Sequence, residues 1–510
     1  MTIKSILPEQ LIHILDSLSF LSPEIFLGTA FLFLIILELF LYKYIYEKAE
    51  TNDVESKNKY QNTLFSVTAI SVLIALNQVF QSSDVAEEFL LFGGMLVLDA
   101  KAIFFKIIII FSVLLMLAHI AVTKRKYAGE FYPLVISLLI GLNLMTMSIN
   151  LLMIYLSIEI VSIASYVLTS FNKTKKASEG GLKYVLFGAA SSAIMLYGMS
   201  LLYGMTGTLN LASPDFSRGI AQMDVMVATI AIALTISGFL FKISATPFHI
   251  WTPDVYQSAP TPVVAFFSAA PKIAAFLVLI HFYSALPNDL QTITAFVALA
   301  TITFGNFSAL WQNDAKRLLA YSTIAHSGFM LIGLVTMSEL GLTSIVFYLV
   351  VSVFTSFLAF LLIDLAAHRQ TQSEDKTEDI TRFALSNFKG LGKLNPFWGV
   401  LLTLVMISLA GLPPTAGFFA KLNIFSALWE AYQLSGKQVL LFLFAFGLLN
   451  TVISLYFYLK LPFLIFFKDS EDSQSFTLSL PQAVFAILLA IPVLGLFFKA
   501  DWLMNLIGQL

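Results

Sequence analysis

Lys242, Lys272 and Lys421 each lie inside or at the end of a long apolar run, and Glu159 sits near the middle of another, LLMIYLSIEIVSIASYVL. A charge at mid-bilayer costs about 2.5–3.5 kcal/mol on insertion scales. A chain that keeps several such charges is expected to use them. Burial disfavours the charged form of a lysine and a neighbouring carboxylate favours it, so a lysine held between the two exchanges its proton readily. The chemistry implied is the movement of protons or ions through a membrane, and the bland alternative is a set of static buried ion pairs.

Other residues join this set with different weights. Lys272, in VVAFFSAAPKIAAFLVLI, is about midway along its run, too deep to snorkel easily. His326, in LLAYSTIAHSGFMLIG, is the residue type that titrates near neutrality and suits a relay, although a buried histidine is often only a hydrogen-bonded core residue. Lys183, in EGGLKYVLFGAASSAIMLYG, is near one end of its run, where a snorkelling side chain explains it equally well. His249 is a weaker candidate, and Glu38 and Asp364, near the ends of their runs, read as interfacial carboxylates.

The elements that position these residues are apolar helices. The 510-residue chain is 58% hydrophobic and 12% charged, with mean hydropathy +0.85. A helix crossing a bilayer needs about 20 mostly apolar residues, and by that criterion roughly 14 runs appear. They fall near 24–42, 62–82, 101–122, 130–148, 150–170, 181–204, 224–243, 261–284, 289–309, 318–337, 342–367, 396–419, 438–463 and 480–499. The fold expected is an all-α polytopic membrane protein with little left for a soluble domain. Segment 87–99, EEFLLFGGMLVLD, is too short to span and reads as a small hairpin around Gly93-Gly94. The N-terminus does not read as a cleavable signal. With no cysteine, disulfides, cysteine-ligated zinc and cysteine-ligated iron–sulfur clusters are excluded. No glycine-rich phosphate loop follows a strand, and a net charge of −2 gives no sign of nucleic acid.

Lysine and arginine concentrate in alternate loops, at 43–61, 123–127, 172–179, 312–317 and 368–393. The positive-inside rule places these loops in the cytoplasm and both termini outside. Two spans carry helix breakers beside their charge. Pro247, Pro253, Pro260 and Pro262 follow Lys242, and Gly411, Pro413, Pro414 and Gly417 precede Lys421. Breaks at membrane depth are tolerated where they face protein or a polar cavity, and paired breaks point to an ion path. The halves echo in spacing: Lys272 lies 30 residues after Lys242, and Asn450 lies 29 after Lys421. Spans 4–8 and 9–13 then form two inverted five-helix repeats with broken helices 7 and 12. The domains expected are 1–128 (helices 1–3 with the hairpin), 129–284, 285–465, and 466–510 with the last helix.

The string PFHIWTPDVYQSAPTPVVAFFSAAPKIAAF resembles the broken seventh helix and eighth helix of the subunit N (subunit 2) family of type I NADH–quinone oxidoreductase, respiratory complex I. YLSIEIVSIASYVL, YGMTGTLN, NDAKRLLAYSTIAHSGFMLIG and GLPPTAGFFAKLNIF agree in family order, over about residues 90–430. TPDVYQSAP, a lysine rather than a glutamate at 421, and the lack of a long lateral helix set it apart from the related subunits M and L. The resemblance implies that Glu159 matches the fifth-helix glutamate and Lys183 the sixth-helix lysine that pairs with it. Lys242, Lys272 and Lys421 then match the lysines of helices 7, 8 and 12, and His326 falls on the central polar axis. Gln257-Ser258 stands where the family often has Glu-Gly. The function implied is proton translocation. NADH, flavin, iron–sulfur clusters and quinone would be handled by partner subunits and none by this chain. Subunit M, the small subunits J and K, and lipids would be its neighbours in a bacterial inner membrane. Alternatives of the same chemistry are a subunit of a cation/proton antiporter or of a membrane-bound hydrogenase.

Overall fold

The computed structural model describes residues 14–48, 54–82, 88–287, 289–369, 382–469 and 476–510. It is a chain of helices. In order these are α1 (Ser22–Lys48) and α2 (Val54–Gln81), the strands β1 (Phe89–Leu91) and β2 (Leu96–Leu98), then α3 (Ala100–Val122), α4 (Phe131–Met147), α5 (Leu151–Thr169), α6 (Lys175–Thr206), α7 (Pro214–Ala221) and α8 (Val225–Lys242). There follow α9 (Thr252–Ser258), α10 (Thr261–Phe267), α11 (Ala270–Ser284), α12 (Gln291–Leu310), α13 (Ala315–Thr336), α14 (Glu339–His368) and α15 (Leu391–Leu394). The chain ends with α16 (Pro396–Ala410), α17 (Ala416–Ser435), α18 (Gln438–Phe467), α19 (Leu480–Phe498) and α20 (Ala500–Gly508).

Among the described residues, twelve helical stretches are long and apolar enough to cross a membrane, and α4 and α16 are shorter apolar helices. Large apolar side chains such as Phe40, Val225 and Val452 face outward. A soluble protein would not expose so many, and a hydrocarbon surround removes the penalty. The helix starts are local chemistry. Asp99, Asn150, Asp314, Ser338 and Asn395 each accept a backbone N–H of the helix they precede, which satisfies one of the donors left open at a helix start. The hairpin expected in 87–99 is present over Phe89–Leu98, with Phe89 opposite Leu98 and the turn at Gly93-Gly94, and residue 87 lies outside the described residues.

The fold divides into two compact units. The first draws on Met1–Lys173, Gly188–Phe239 and Ile273–Asn288, and the second on Thr174–Phe187, Leu240–Lys272 and Asp289–Leu510. In the first, α1 packs on α2 and α4, and α4 on α5. In the second, α13 packs on α12, α14 and α17. Burial locates its centre: 94% of the apolar stretch of α13 is buried and 83% of that of α14, against 28% for α18. Gly328 of α13 allows the close approach to α12, since a Cβ there would meet the Ile302 backbone nitrogen at 2.8 Å.

Helix breaks fall where the prolines and glycines predict them, at 243–251 and at 411–415. The run expected at 396–419 is therefore not one helix. It is α16, a break, and α17, which continues to Ser435; the apolar run ends sooner than the helix because Lys421 and Glu430 lower the hydropathy. A further interruption separates α10 from α11 at Ser268-Ala269. Pro271 explains it, because its ring excludes the carbonyl four residues back and it has no N–H to donate.

Candidate functional site

Lys272 follows that interruption directly. Its side chain is 2% exposed, and its Nζ donates to the Thr323 carbonyl at 2.8 Å and to Ser327 Oγ at 2.6 Å, both on α13. The partner expected for a buried ammonium is a carboxylate. Here it is a carbonyl and a hydroxyl, so the static ion-pair reading fails for this residue among the described residues. His326 lies on the same helix, its Nδ1 2.7 Å from Tyr348 Oη and its Nε2 3.0 Å from Tyr458 Oη. Lys272, His326 and Tyr348 line one cavity of about 30 Å3, room for one or two waters. Ser352, Thr355 and Ser408 add hydroxyls to its wall, which reaches Gly417 in the first turn of α17. Hydroxyls accept and donate, so this lining suits water that passes protons.

Lys421 is built into the second break. Its Nζ donates to the carbonyls of Ala410 at 2.7 Å and Leu409 at 3.2 Å. These are the last residues of α16, whose carboxyl end carries the negative pole of the helix dipole. The Phe329 ring lies 4.7 Å from the same ammonium, adding cation–π attraction. Gly411 is required by geometry: its φ is +83°, and a Cβ would stand 2.6 Å from Lys421 Cδ. Lys242 is the last residue of α8, so it too stands at a carboxyl end before a break, and it is buried. His249, within that break, is half-buried against Phe304.

Lys183 has partners other than the one the resemblance implied. Its Nζ is 2.8 Å from Glu179 Oε1 and 2.8 Å from Asp254 Oδ2. Arg317 Nη1 is 2.5 Å from the other oxygen of Asp254, so one carboxylate on the short helix α9 takes a cation on each side. Neighbouring Lys316, read from sequence as a loop charge, is buried and donates to the Ala259 carbonyl at 2.9 Å. Glu159, in the first unit, is half-buried on α5 and accepts a hydrogen bond from Ser192 of α6. Thus Lys272, His326, the end of α16 and the first turn of α17 meet at one cavity. Lys183 belongs to a charged cluster on α9, and Glu159 to a polar contact with α6.

Three residues lie outside this set. Asp364, near the end of α14, is fully buried by protein, 3.9 Å from His368 Nδ1. Asn450, the echo of Lys272, is occupied by Asn306, whose Nδ2 donates to its carbonyl at 3.1 Å. Lys106, not among the residues singled out by sequence, forms a buried pair with Glu24 at 2.8 Å, side chains 2% and 4% exposed. Its signal was the same one, a lysine inside the apolar run AKAIFFKIIIIF. The tyrosines and hydroxyls around His326 carry no such signal, because they are ordinary in apolar helices.

The transmembrane family model described as NADH:quinone oxidoreductase/Mrp antiporter matches residues 148–454. NADH-quinone oxidoreductase subunit N of Chlorobium chlorochromatii is 37% identical over 509 residues, covering 94% of this chain and 93% of the relative. The chain belongs to the subunit N family of NADH-quinone oxidoreductase. Among solved structures, a chain of respiratory complex I from Thermus thermophilus is similar, with TM-score 0.74 and 28% identity over 93% of this chain and 98% of that one. A chain of the Mrp complex from Dietzia sp. shares the fold, with TM-score 0.77 and 21% identity over 96% of each. Every motif quoted from the sequence between residues 150 and 430 lies in the matched region of this family, whereas Lys106 and Glu24 precede it.

Proposed function

We propose that this chain is a proton-translocating membrane subunit of an NADH–quinone oxidoreductase, and that Glu159, Lys183, Lys242, Lys272, His326 and Lys421 are the sites its protons occupy. The observation that carries this reading is the hydroxyl-lined cavity shared by Lys272 and His326, with no carboxylate on the lysine among the described residues. A lysine held by a carbonyl and a hydroxyl keeps its hydrogen bonds whether or not it is charged, so a charge arriving nearby shifts its proton without dismantling the site. NADH oxidation, with its flavin and iron–sulfur clusters, and quinone reduction belong to partner subunits, and the neighbours in the membrane are subunits M, J and K. Kinship to subunit N over nearly the whole chain favours this over an antiporter or hydrogenase subunit.

The finer arrangement belongs to the same proposal. The fourteen spans comprise helices 1–3 in residues 1–128, two inverted five-helix repeats at 129–284 and 285–465, and a last helix in 466–510. Two breaks, each with a lysine near the carboxyl end of the preceding half-helix, support the repeat. The membrane is a bacterial inner membrane, with the lysine-rich loops in the cytoplasm and both termini outside.

Two measurements test this. The tagged chain is expected to purify with NADH-oxidising subunits and, taken alone, to carry neither flavin nor iron; isolation without any redox partner refutes the assignment. For orientation, the absence of native cysteine allows Lys175→Cys, at an exposed position, to report cleanly. An impermeant thiol reagent is expected to label it only in inverted vesicles, and labelling in intact cells reverses the topology.

A further inference from the structure

We infer that Tyr348 and Tyr458 are relay residues on the proton path, and that Tyr458 extends it from His326 to Ser322. This rests on the proton-path reading above and names residues to which the sequence motifs give no role. Four buried side chains from three helices form an unbroken row. Tyr348 Oη of α14 is 2.7 Å from His326 Nδ1, His326 Nε2 is 3.0 Å from Tyr458 Oη of α18, and Tyr458 Oη is 2.5 Å from Ser322 Oγ.

The choice of partners is informative. A histidine serving only as a core residue is commonly pinned by a carbonyl or carboxylate, which accepts but never donates and so fixes one tautomer. Here both ring nitrogens face hydroxyls, which donate or accept as required. Both ring nitrogens therefore stay hydrogen-bonded with the proton on Nδ1, on Nε2 or on both. Neither ring nitrogen is orphaned when the ring gains or loses a proton, which is the property a relay needs.

The transfer balances. A proton reaching the Tyr348 oxygen from cavity water releases that hydroxyl's own proton to His326 Nδ1. The Nε2–H bond breaks toward the Tyr458 oxygen, and the Tyr458 proton passes to Ser322 Oγ, which gives up its own to water. One proton enters, one leaves, and every O–H or N–H bond broken is replaced. Tyr348, His326 and Ser322 all line the Lys272 cavity, so water there supplies and removes protons and returns the ring to its first tautomer. Ser322 lies four residues before His326 on α13, about 6 Å along the axis. The row thus carries protons one helical turn beside Lys272, whose own contacts are with Thr323 and Ser327.

The test is Tyr458→Phe, which removes the hydroxyl and keeps the ring, in the assembled complex reconstituted into vesicles. NADH-coupled proton translocation is expected to fall about a hundredfold, the low end for loss of a proton-transfer group, with a larger slowing in D2O than the unmodified complex shows. Adding Ser322→Ala is expected to cost nothing further, since both interrupt one row. Unchanged pumping and an unchanged D2O effect in assembled Tyr458→Phe overturn the inference. If Tyr458→Phe does not assemble, Ser322→Ala alone must show the loss, and normal pumping there overturns it equally. His326→Gln separates the two levels. Impaired His326→Gln with normal Tyr458→Phe removes the tyrosines alone, whereas normal pumping in both removes the path reading beneath them.

Discussion

Lys272→Arg leaves an assembled complex whose proton translocation per NADH oxidised falls about a hundredfold or more, on the scale of losing a general acid–base group. Arginine keeps the positive charge and several donors, so the Thr323 carbonyl and Ser327 hydroxyl retain partners. It does not release its proton in proteins, whereas a buried lysine does. The structure sharpens the comparison with Lys272→Met. A lysine paired with a carboxylate would leave that charge stranded on removal, and assembly would suffer. Lys272 has no such partner among the described residues, so Lys272→Met is expected to assemble as well and to pump as poorly. The measurement is proton uptake against NADH consumed in reconstituted vesicles, with subunit content checked in parallel. Normal pumping by assembled Lys272→Arg contradicts the carrier role.

The second large effect concerns Lys106 and Glu24. Lys106→Met is expected to destabilise the protein by about 3–5 kcal/mol, because it leaves a buried carboxylate without its counter-charge. Neither oxygen of Glu24 has an aligned hydrogen bond among the described residues, so the lysine's charge is what holds it. Replacing both, Lys106→Met with Glu24→Leu, removes the charge and the stranded partner together and is expected to restore the stability to at least its starting level. The readout is the thermal midpoint of the solubilised complex, with proton translocation as control. A double variant as unstable as the single one shows that the pair acts through something other than its charge. A double variant that is stable yet does not pump places the pair on the proton path.

How far the sequence reaches is clear from particular residues. Apolar runs of membrane length and the breaks around Pro247 and Pro413-Pro414 are local properties, set by solvent and by backbone chemistry, and they appear where expected. The hairpin at Gly93-Gly94 is local too. Pairings are not local. Lys183 meets Asp254, 71 residues away, and Arg317 reaches the same carboxylate across 63, and nothing in either segment alone specifies the contact. Asp364 illustrates the same limit: its place near a helix end is local, whereas its burial depends on what packs over it. Lys106 shows a different gap. It was legible by the rule that flags Lys272, and its partner was not, because Glu24 stands two residues into an apolar helix where a first-turn acid is unremarkable. Tyr348 and Tyr458 lay beyond any rule of this kind, since only the folded arrangement brings two hydroxyls to one imidazole.

The setting of Lys421 separates its chemistry from motion. An ammonium has three hydrogens, and two of them are engaged by the carbonyls of Leu409 and Ala410. A neutral amine has two hydrogens and a lone pair. Both carbonyl bonds therefore survive when the third hydrogen departs, and the lone pair takes its direction. Lys272 is held in the same way, by one carbonyl and one hydroxyl. On the proposed role, loading and unloading these nitrogens would change the charge in the membrane while the fastening stays the same. The two protonation states would then need no change of shape, and a neighbour would sense them through the electric field.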